Sequence, residues 1–382
     1  MNKRNVYIMY IIALLQGMVF YGPVATLYRQ AHGVTVFQIT IIESISLALC
    51  LLLELPWGVI ADKIGYKKTM VFCCMLYFVS KIVFWKADSF GLFLLERVML
   101  SIIVSGMSGV EQSILYLSCD KDHSQRVFGV YNSLLTAGLL AASLIFSVFI
   151  KDNYSLSGLL TVVSYGIAAV LSLWLVEVRG NEKREQSVRQ FVSLLSGVVK
   201  NKRLLMLLLG VALLNESHQT ITVFLNQLQY IKCGMSPSTI GYIYIIVTIV
   251  GLCGVWSERI TRKLGYGVIS YVLYSAAIVA CFILAFTGNT VLSVLCIIIL
   301  RAAFSLFQPL QMDLQNKGIT TENRATALSI NAIIIDSVGV GTNLVFGALA
   351  DTTLRGAFLF GGAACLIGML FFAAGSRSFR IR

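Results

Sequence analysis

A short loop signature between two long apolar runs decides the fold of this chain. It reads Gly58-Val59-Ile60-Ala61-Asp62-Lys63-Ile64-Gly65-Tyr66-Lys67-Lys68. A shorter copy follows 200 residues later and keeps the Lys, Gly and Tyr at the same spacing: Thr261-Arg262-Lys263-Leu264-Gly265-Tyr266. Similarity at a fixed offset indicates an internal repeat, so we expect a chain built from two related halves.

Apolar residues dominate the sequence on both sides of the signature. Hydrophobic residues make up 57% of the 382 and charged residues only 13%, well below the roughly 25% of soluble domains. A helix crosses the hydrocarbon core with about 20 apolar residues, and the sequence therefore predicts an all-α membrane protein. We number its twelve predicted spans in chain order: 6–29, 36–60, 68–86, 90–118, 125–150, 156–177, 203–230, 237–258, 267–287, 289–317, 323–350 and 354–376.

The basic residues predict the orientation of these spans. Twenty-two Lys and Arg residues fall on the side of the two termini and only five on the other side, and such an excess marks the cytoplasmic face. We therefore expect a multi-pass protein of the plasma membrane with both termini in the cytoplasm. The net charge of +12 is expected to face anionic lipid head groups rather than nucleic acid. The first apolar run is too long for a signal peptide and is expected to remain as span 1.

One long break divides the spans into two sets of six. We predict an N-terminal six-helix bundle at 1–178, a cytoplasmic linker at 179–203 and a C-terminal six-helix bundle at 204–382. Apolar residues at helical spacing in the linker indicate a basic amphipathic helix on the membrane surface, although an ordinary tether fits as well. Transporters with repeated halves bind substrate between the halves, near the bilayer midplane.

The full signature resembles the loop signature of the major facilitator superfamily, which lies between spans 2 and 3 there as it does here. The resemblance covers the whole chain, since the twelve spans, the division into six and six and the degenerate second copy also match. It implies two pseudo-symmetric six-helix bundles that move a small-molecule substrate by alternating access. It also implies a protein that acts as a monomer.

The resemblance further implies a cytoplasmic latch between the halves. Asp62 is suited to the positive N-terminal end of a helix, which in the family is that of span 11. Tyr66 stands where the family most often has a basic residue. Alternatively, the loop merely orients the protein through its positive charge. The predicted latch residues are Gly58, Asp62, Gly65, Lys67, Lys68, Asp120, Asp122, Arg126 and Arg324.

Charged residues inside the spans are the candidates for proton coupling, because each costs about 2.5 kcal/mol or more to insert. Away from the first and last two residues of each span there are seven acids and three bases, and this excess favours protons or cationic substrates. Removal from water favours the protonated form of a carboxyl group, so we predict Glu216, Asp336 and Glu111 as coupling acids. His218 could titrate beside them. Alternatively, Glu216 and His218 simply form hydrogen bonds within their half.

Polar stripes on the spans are the candidates for substrate binding, since the family lines its cavity with spans 1, 4, 7 and 10. Span 4 carries one stripe, span 10 repeats it, and span 7 has a dense polar face. Arg97 could instead pair with a nearby acid such as Glu96, and Gln16 could serve packing. The predicted substrate residues are Gln16, Arg97, Ser101, Asn215, Gln219, Thr222, Asn226, Arg301, Gln308 and Asn343.

Three functions are compatible with the sequence. The first is proton-coupled export of small cationic or amphipathic organic compounds, and the second is proton-coupled import of a polar metabolite. The third is a receptor or lipid scramblase that does not transport. No enzymatic motif, metal site or cofactor site is predicted, because seven of the nine cysteines lie inside apolar runs and the three histidines form no ligand cluster.

Overall fold

The protein is helical throughout the part of the chain that is described. The structure, a computed structural model, describes residues 3–107, 109–119, 124–178, 196–318 and 324–376. Within these ranges, eleven segments are long and apolar enough to cross a membrane. The all-α membrane fold predicted from the sequence is confirmed.

Each predicted span corresponds to a helix or to a series of short helices. In chain order the α-helices run over Lys3–Gly17 and Ala25–Ala31 (span 1), Val36–Ile64 (span 2), Tyr66–Lys86 (span 3), Phe90–Met107 and Val110–Ser118 (span 4), Ser124–Ile145 (span 5), Tyr154–Ser172 (span 6), Lys202–Gln219 and Asn226–Lys232 (span 7), Pro237–Val250 (span 8), Ser257–Phe286 (end of span 8 and span 9), Thr290–Gly318 (span 10), Arg324–Thr352 (span 11) and Leu354–Ser376 (span 12).

The longest apolar segment accounts for two of the twelve predicted crossings. Pro237–Phe286 contains 50 residues and would extend about 75 Å as one helix, far more than the roughly 30 Å of the hydrocarbon core. Inside it, Gly265 has non-helical backbone angles, with φ 78° and ψ 151°. Spans 8 and 9 therefore meet at this glycine, and the eleven segments accommodate twelve crossings.

Contacts divide the chain into two compact units. The first comprises the described parts of residues 1–38, 45–183 and 236–245, and the second those of 39–44, 184–235 and 246–382. The domain boundaries predicted from the sequence stay a prediction, because the linker and its amphipathic helix fall almost wholly outside the described residues.

The two units are built by the same helix pairings. In the first, span 1 packs on spans 5 and 6, and span 3 packs on spans 4 and 6. In the second, span 7 packs on spans 11 and 12, and span 9 packs on spans 10 and 12. Small residues allow close approach of apolar helices, as where Gly210 of span 7 lies against Gly368 of span 12. Each unit is thus a helical bundle with the topology of the other.

Span 7 changes its helical register halfway along. Its two α-helices are joined by a π-helical segment, Thr220–Leu225, and such a wider turn rotates the residues that follow it. Asn215, Gln219, Thr222 and Asn226 therefore do not share one face as predicted. Gln219 is exposed, whereas the side chains of Thr222 and Asn226 are buried.

Candidate functional site

A buried carboxyl group on span 7 is the centre of the candidate site. Glu216 is only 8% exposed, and within the described residues no hydrogen bond or ion pair to its carboxyl group is present. Its carboxyl group lies directly over Gly339 of span 11, where a Cβ atom would come within 2.6 Å of the Glu216 Cδ. Asp336 of the same helix is its charged neighbour. Two of the predicted coupling acids are therefore close together.

Residues spaced four apart on span 11 form the face that receives Glu216. Residues at this spacing lie on one side of a helix, and here they include Ile335, Gly339 and Asn343, all buried. One turn beyond Glu216, Thr220 donates a hydrogen bond of 2.7 Å to the Oδ1 atom of Asn343. Spans 7 and 11 are thus in register, and the absence of a side chain at Gly339 makes room for the acid.

His218 lies on another side of span 7, against span 10. Its ring stacks on Phe304 with the ring centres 3.9 Å apart and the planes inclined by 4°. Thr222 holds it from the next turn, because its Oγ1 lies 3.2 Å from Nε2 and donates to the backbone carbonyl of His218 at 2.9 Å. The charged neighbour of His218 is Arg301. Its role in proton coupling stays a prediction.

Arg301 and Gln311 of span 10 contact neighbouring helices of the second unit. The Arg301 guanidinium lies against Gly251 of span 8, where a Cβ would come within 2.6 Å of Nη2. Asn215 donates from Nδ2 to Oε1 of Gln311 at 3.4 Å. Gln311 is buried, whereas the predicted Gln308 is exposed. Pro309 lies inside this helix and removes one of its backbone hydrogen bonds.

The first unit contains a separate polar cluster around Glu111. Glu111 is half-buried, and the Tyr131 hydroxyl of span 5 hydrogen-bonds to its carboxyl group. Gln16 is buried and donates to Cys74 Sγ at 3.6 Å. Ser101 is also buried, with its hydroxyl 2.8 Å from that of Ser46. The contact with span 2 is thus a structural explanation for a serine at position 101.

Glu96 has a different partner from the one predicted. Its Oε1 lies 3.1 Å from Nζ of Lys81 in span 3, and both side chains are at most 5% exposed. Glu96 is therefore the partner of Lys81, and the role of Arg97 stays a prediction. Sequence reasoning missed this ion pair because its members are 15 residues apart on different helices.

The loop signature contacts an acid that the sequence did not reveal, Glu177 at the end of span 6. Gly65 has a φ of 103°, and the Glu177 carboxyl group lies where its Cβ would be, at 2.7 Å from Oε2. The backbone N–H of Lys67 donates to Oε1 of Glu177 at 3.2 Å. Lys67 is half-buried, while Lys68 and Arg126 are exposed. The other predicted latch residues lie outside the residues whose side chains are described: Gly58, Asp62, Asp120, Asp122 and Arg324.

The two copies of the signature provide a matched test of this contact. Gly65 and Gly265 both have backbone angles that essentially only glycine adopts, so alanine costs about 1–3 kcal/mol at either position. At Gly65 it would also displace Glu177 and its hydrogen bond, worth about 1.5–3 kcal/mol more, whereas nothing lies within 4 Å of a Cβ at Gly265. We expect Gly65→Ala to lower the thermal unfolding midpoint further than Gly265→Ala. Equal midpoints would contradict a role for Glu177.

Comparison with known proteins agrees with this architecture. The sequence profile of the Major Facilitator Superfamily matches residues 6–342. The uncharacterized MFS-type transporter MJ1560 of Methanocaldococcus jannaschii is 25% identical over 138 residues, which are 36% of this chain and only 36% of that protein's length. These 138 residues therefore leave most of that relative unmatched.

Solved structures share the fold over nearly the whole chain. The nucleoside transporter NupG superposes with a TM-score of 0.82 at 17% identity, covering 99% of this chain and 100% of NupG. A D-xylose-proton symporter superposes with a TM-score of 0.71 at 13% identity and 97% coverage of both chains. Identities this low show a common fold alone. The chain belongs to the Major Facilitator Superfamily and is a multi-pass membrane transporter rather than an enzyme.

Proposed function

We propose that this chain is a proton-coupled secondary transporter that works by alternating access, with Glu216 and Asp336 holding the exchanged proton. The observation that carries this proposal is the position of the Glu216 carboxyl group, buried over Gly339 beside a second acid. Both burial and a nearby like charge disfavour a second ionised carboxylate. One proton is therefore retained until the site opens to water, and its release couples the cycle to the proton gradient.

The first candidate reaction is export of small cationic or amphipathic compounds. An acid pair stabilises a proton or another cation but binds the two in competition, and such competition is the basis of exchange. The excess of acids over bases in the predicted spans, seven to three away from the span ends, also favours cations. In this scheme the substrate cation displaces the proton from the pair.

The second candidate is proton-coupled import of a polar metabolite. It is favoured by the amide and hydroxyl groups near the acid pair, Asn215 with Gln311 and Thr220 with Asn343. Such groups offer both donors and acceptors, as recognition of a neutral polar solute requires. A nucleoside transporter and a D-xylose-proton symporter have the same fold.

The cellular setting forms part of the same proposal. The distribution of basic residues, 22 to 5, supports cytoplasmic termini and a plasma-membrane location. The contacts of Glu177 with Gly65 and Lys67 support an ordered structure for the loop signature on the cytoplasmic side. We further propose that the transporter acts as a monomer.

Transport by purified protein in proteoliposomes tests coupling and direction together. The vesicles contain a pH-sensitive dye, and the probes are ethidium as a cation and uridine and xylose as polar solutes. Export predicts ethidium movement against its gradient that stops when the pH gradient is dissipated. Import predicts uridine or xylose uptake driven by an inward proton gradient. Transport of any of these probes without proton movement would contradict the coupling mechanism.

A further inference from the structure

Span 1 is interrupted within the first unit, and span 6 binds the interrupted backbone. The α-helix ends at Gly17 and resumes at Ala25; we call residues 18–24 the break. Tyr165 donates from its hydroxyl to the carbonyl of Gln16 at 2.6 Å, and Phe20 donates its N–H to Oγ1 of Thr161 at 3.1 Å. Backbone groups freed by a break inside a membrane must find new partners. The break is therefore stabilised by specific hydrogen bonds from span 6.

The buried ion pair of spans 3 and 4 contacts this break directly. Lys81 Nζ donates to the Tyr21 hydroxyl at 3.0 Å and to Oε1 of Glu96 at 3.1 Å. Tyr21 lies within the break. One ammonium group thus joins the break to two further helices of the unit.

Three aromatic rings surround the same ammonium group. Its Nζ lies 5.8, 5.3 and 5.5 Å from the ring centres of Tyr21, Tyr77 and Tyr165, which we call the tyrosine cage. Aromatic faces attract cations at these distances, more strongly where water is excluded. Because Tyr165 also binds the Gln16 carbonyl, the cage connects Lys81 both to the break and to the end of the helix that precedes it.

The outer part of span 1 packs on span 3 beyond the cage. Tyr28 of the Ala25–Ala31 helix donates to the carbonyl of Trp85 at 3.3 Å. Arg29 lies over the ring of Phe84, 5.7 Å from its centre. The position of this short helix therefore depends on span 3, the helix that carries Lys81.

We propose that Lys81 and Glu96 are positioning residues that hold the break of span 1, and with it the Ala25–Ala31 helix and Gln16, through the Tyr21 hydroxyl. A purely stabilising role explains the pair poorly. A buried ion pair often contributes little net stability, and in the part of the chain that is described the second oxygen of Glu96, Oε2, has no hydrogen-bond partner. Interrupted helices in transporters commonly form binding sites. The function of the Lys81–Glu96 pair would then be to hold the interrupted helix of span 1 in place.

Hydrogen–deuterium exchange of the purified full chain tests the proposal without any transport substrate, so it stands apart from the proton-coupling scheme. Tyr21→Phe retains the ring and the ion pair but removes the hydroxyl. The double variant Lys81→Met/Glu96→Gln retains volume and leaves no buried charge unpaired. Tyr10→Phe is the matched control, because it removes another span-1 hydroxyl, which bonds the Val127 carbonyl outside the break.

Amide exchange in residues 15–31 is expected to rise about tenfold in Tyr21→Phe and in the double variant, the effect of losing one hydrogen bond on a local opening. Spans 5 and 12 should exchange as in the wild type, and the unfolding midpoint of Tyr21→Phe should change little. Tyr10→Phe should leave residues 15–31 unchanged. Wild-type exchange there in Tyr21→Phe would overturn the proposal, as would an equal rise in all spans. If the double variant does not fold, Tyr21→Phe decides alone.

Discussion

Glu216→Gln is expected to abolish accumulation of substrate against its gradient while sparing substrate binding and substrate exchange. Glutamine retains the size of the side chain and much of its hydrogen-bonding capacity, but it fixes the neutral form. The proton can then no longer be released when the site opens to water, and the cycle loses its link to the gradient. Proteoliposomes with an imposed pH gradient measure accumulation, and counterflow without a gradient measures exchange.

Asp336→Asn is the control for this substitution, because Asp336 is the charged neighbour of Glu216. If Asp336→Asn loses coupling while Glu216→Gln still concentrates substrate in a pH-dependent way, the coupling acid is in span 11. If both variants remain fully coupled, the acid-pair mechanism is wrong. A loss of binding in Glu216→Gln would instead indicate that this acid holds the substrate itself.

Gly339→Ala is expected to impair transport nearly as strongly, although it introduces only one methyl group. That methyl would lie 2.6 Å from Cδ and 2.7 Å from Oε2 of Glu216, so the carboxyl group must move. Overpacking of this kind costs about 1–3 kcal/mol, which corresponds to roughly a fivefold to 150-fold change in a conformational equilibrium. Proton-driven transport should fall by about that factor, and the unfolding midpoint should fall with it.

Gly341→Ala is the matched control on the same helix. Nothing lies within 4 Å of a Cβ at this position, and alanine is the better helix former. It should transport like the wild type. In addition, Glu216→Asp shortens the acid by one methylene group and should partly restore transport when combined with Gly339→Ala. Equal transport by the Gly339→Ala and Gly341→Ala variants would show that contact with span 11 does not position the acid.

The sequence alone determined the membrane fold of this protein, because the signals that specify it are local. A run of about 20 apolar residues predicts a crossing wherever it occurs, and the loop signature with its second copy identifies the duplication. Gly65 and Gly265 illustrate this, since both have the positive φ that a turn requires of glycine. The acid of span 7 was recognisable for the same reason, as an ionisable group within an apolar run.

Only the tertiary structure decided which side chains meet. Glu216 faces Gly339, and Lys81 pairs with Glu96 inside a cage whose third ring comes from span 6. No periodicity within one helix predicts such contacts, because the packing of helices distant in sequence selects them.

Irregular backbone set a second limit on sequence reasoning. An advance of about 100° per residue predicts a helical face only while the helix remains regular. The π-helical segment Thr220–Leu225 ends that regularity in span 7. Gln219 and Gln308 are exposed, whereas Gln311 is the buried partner of Asn215. The sequence thus determined where the helices lie along the chain, and tertiary packing decided which faces meet, because register changes and helix partners depend on distant residues.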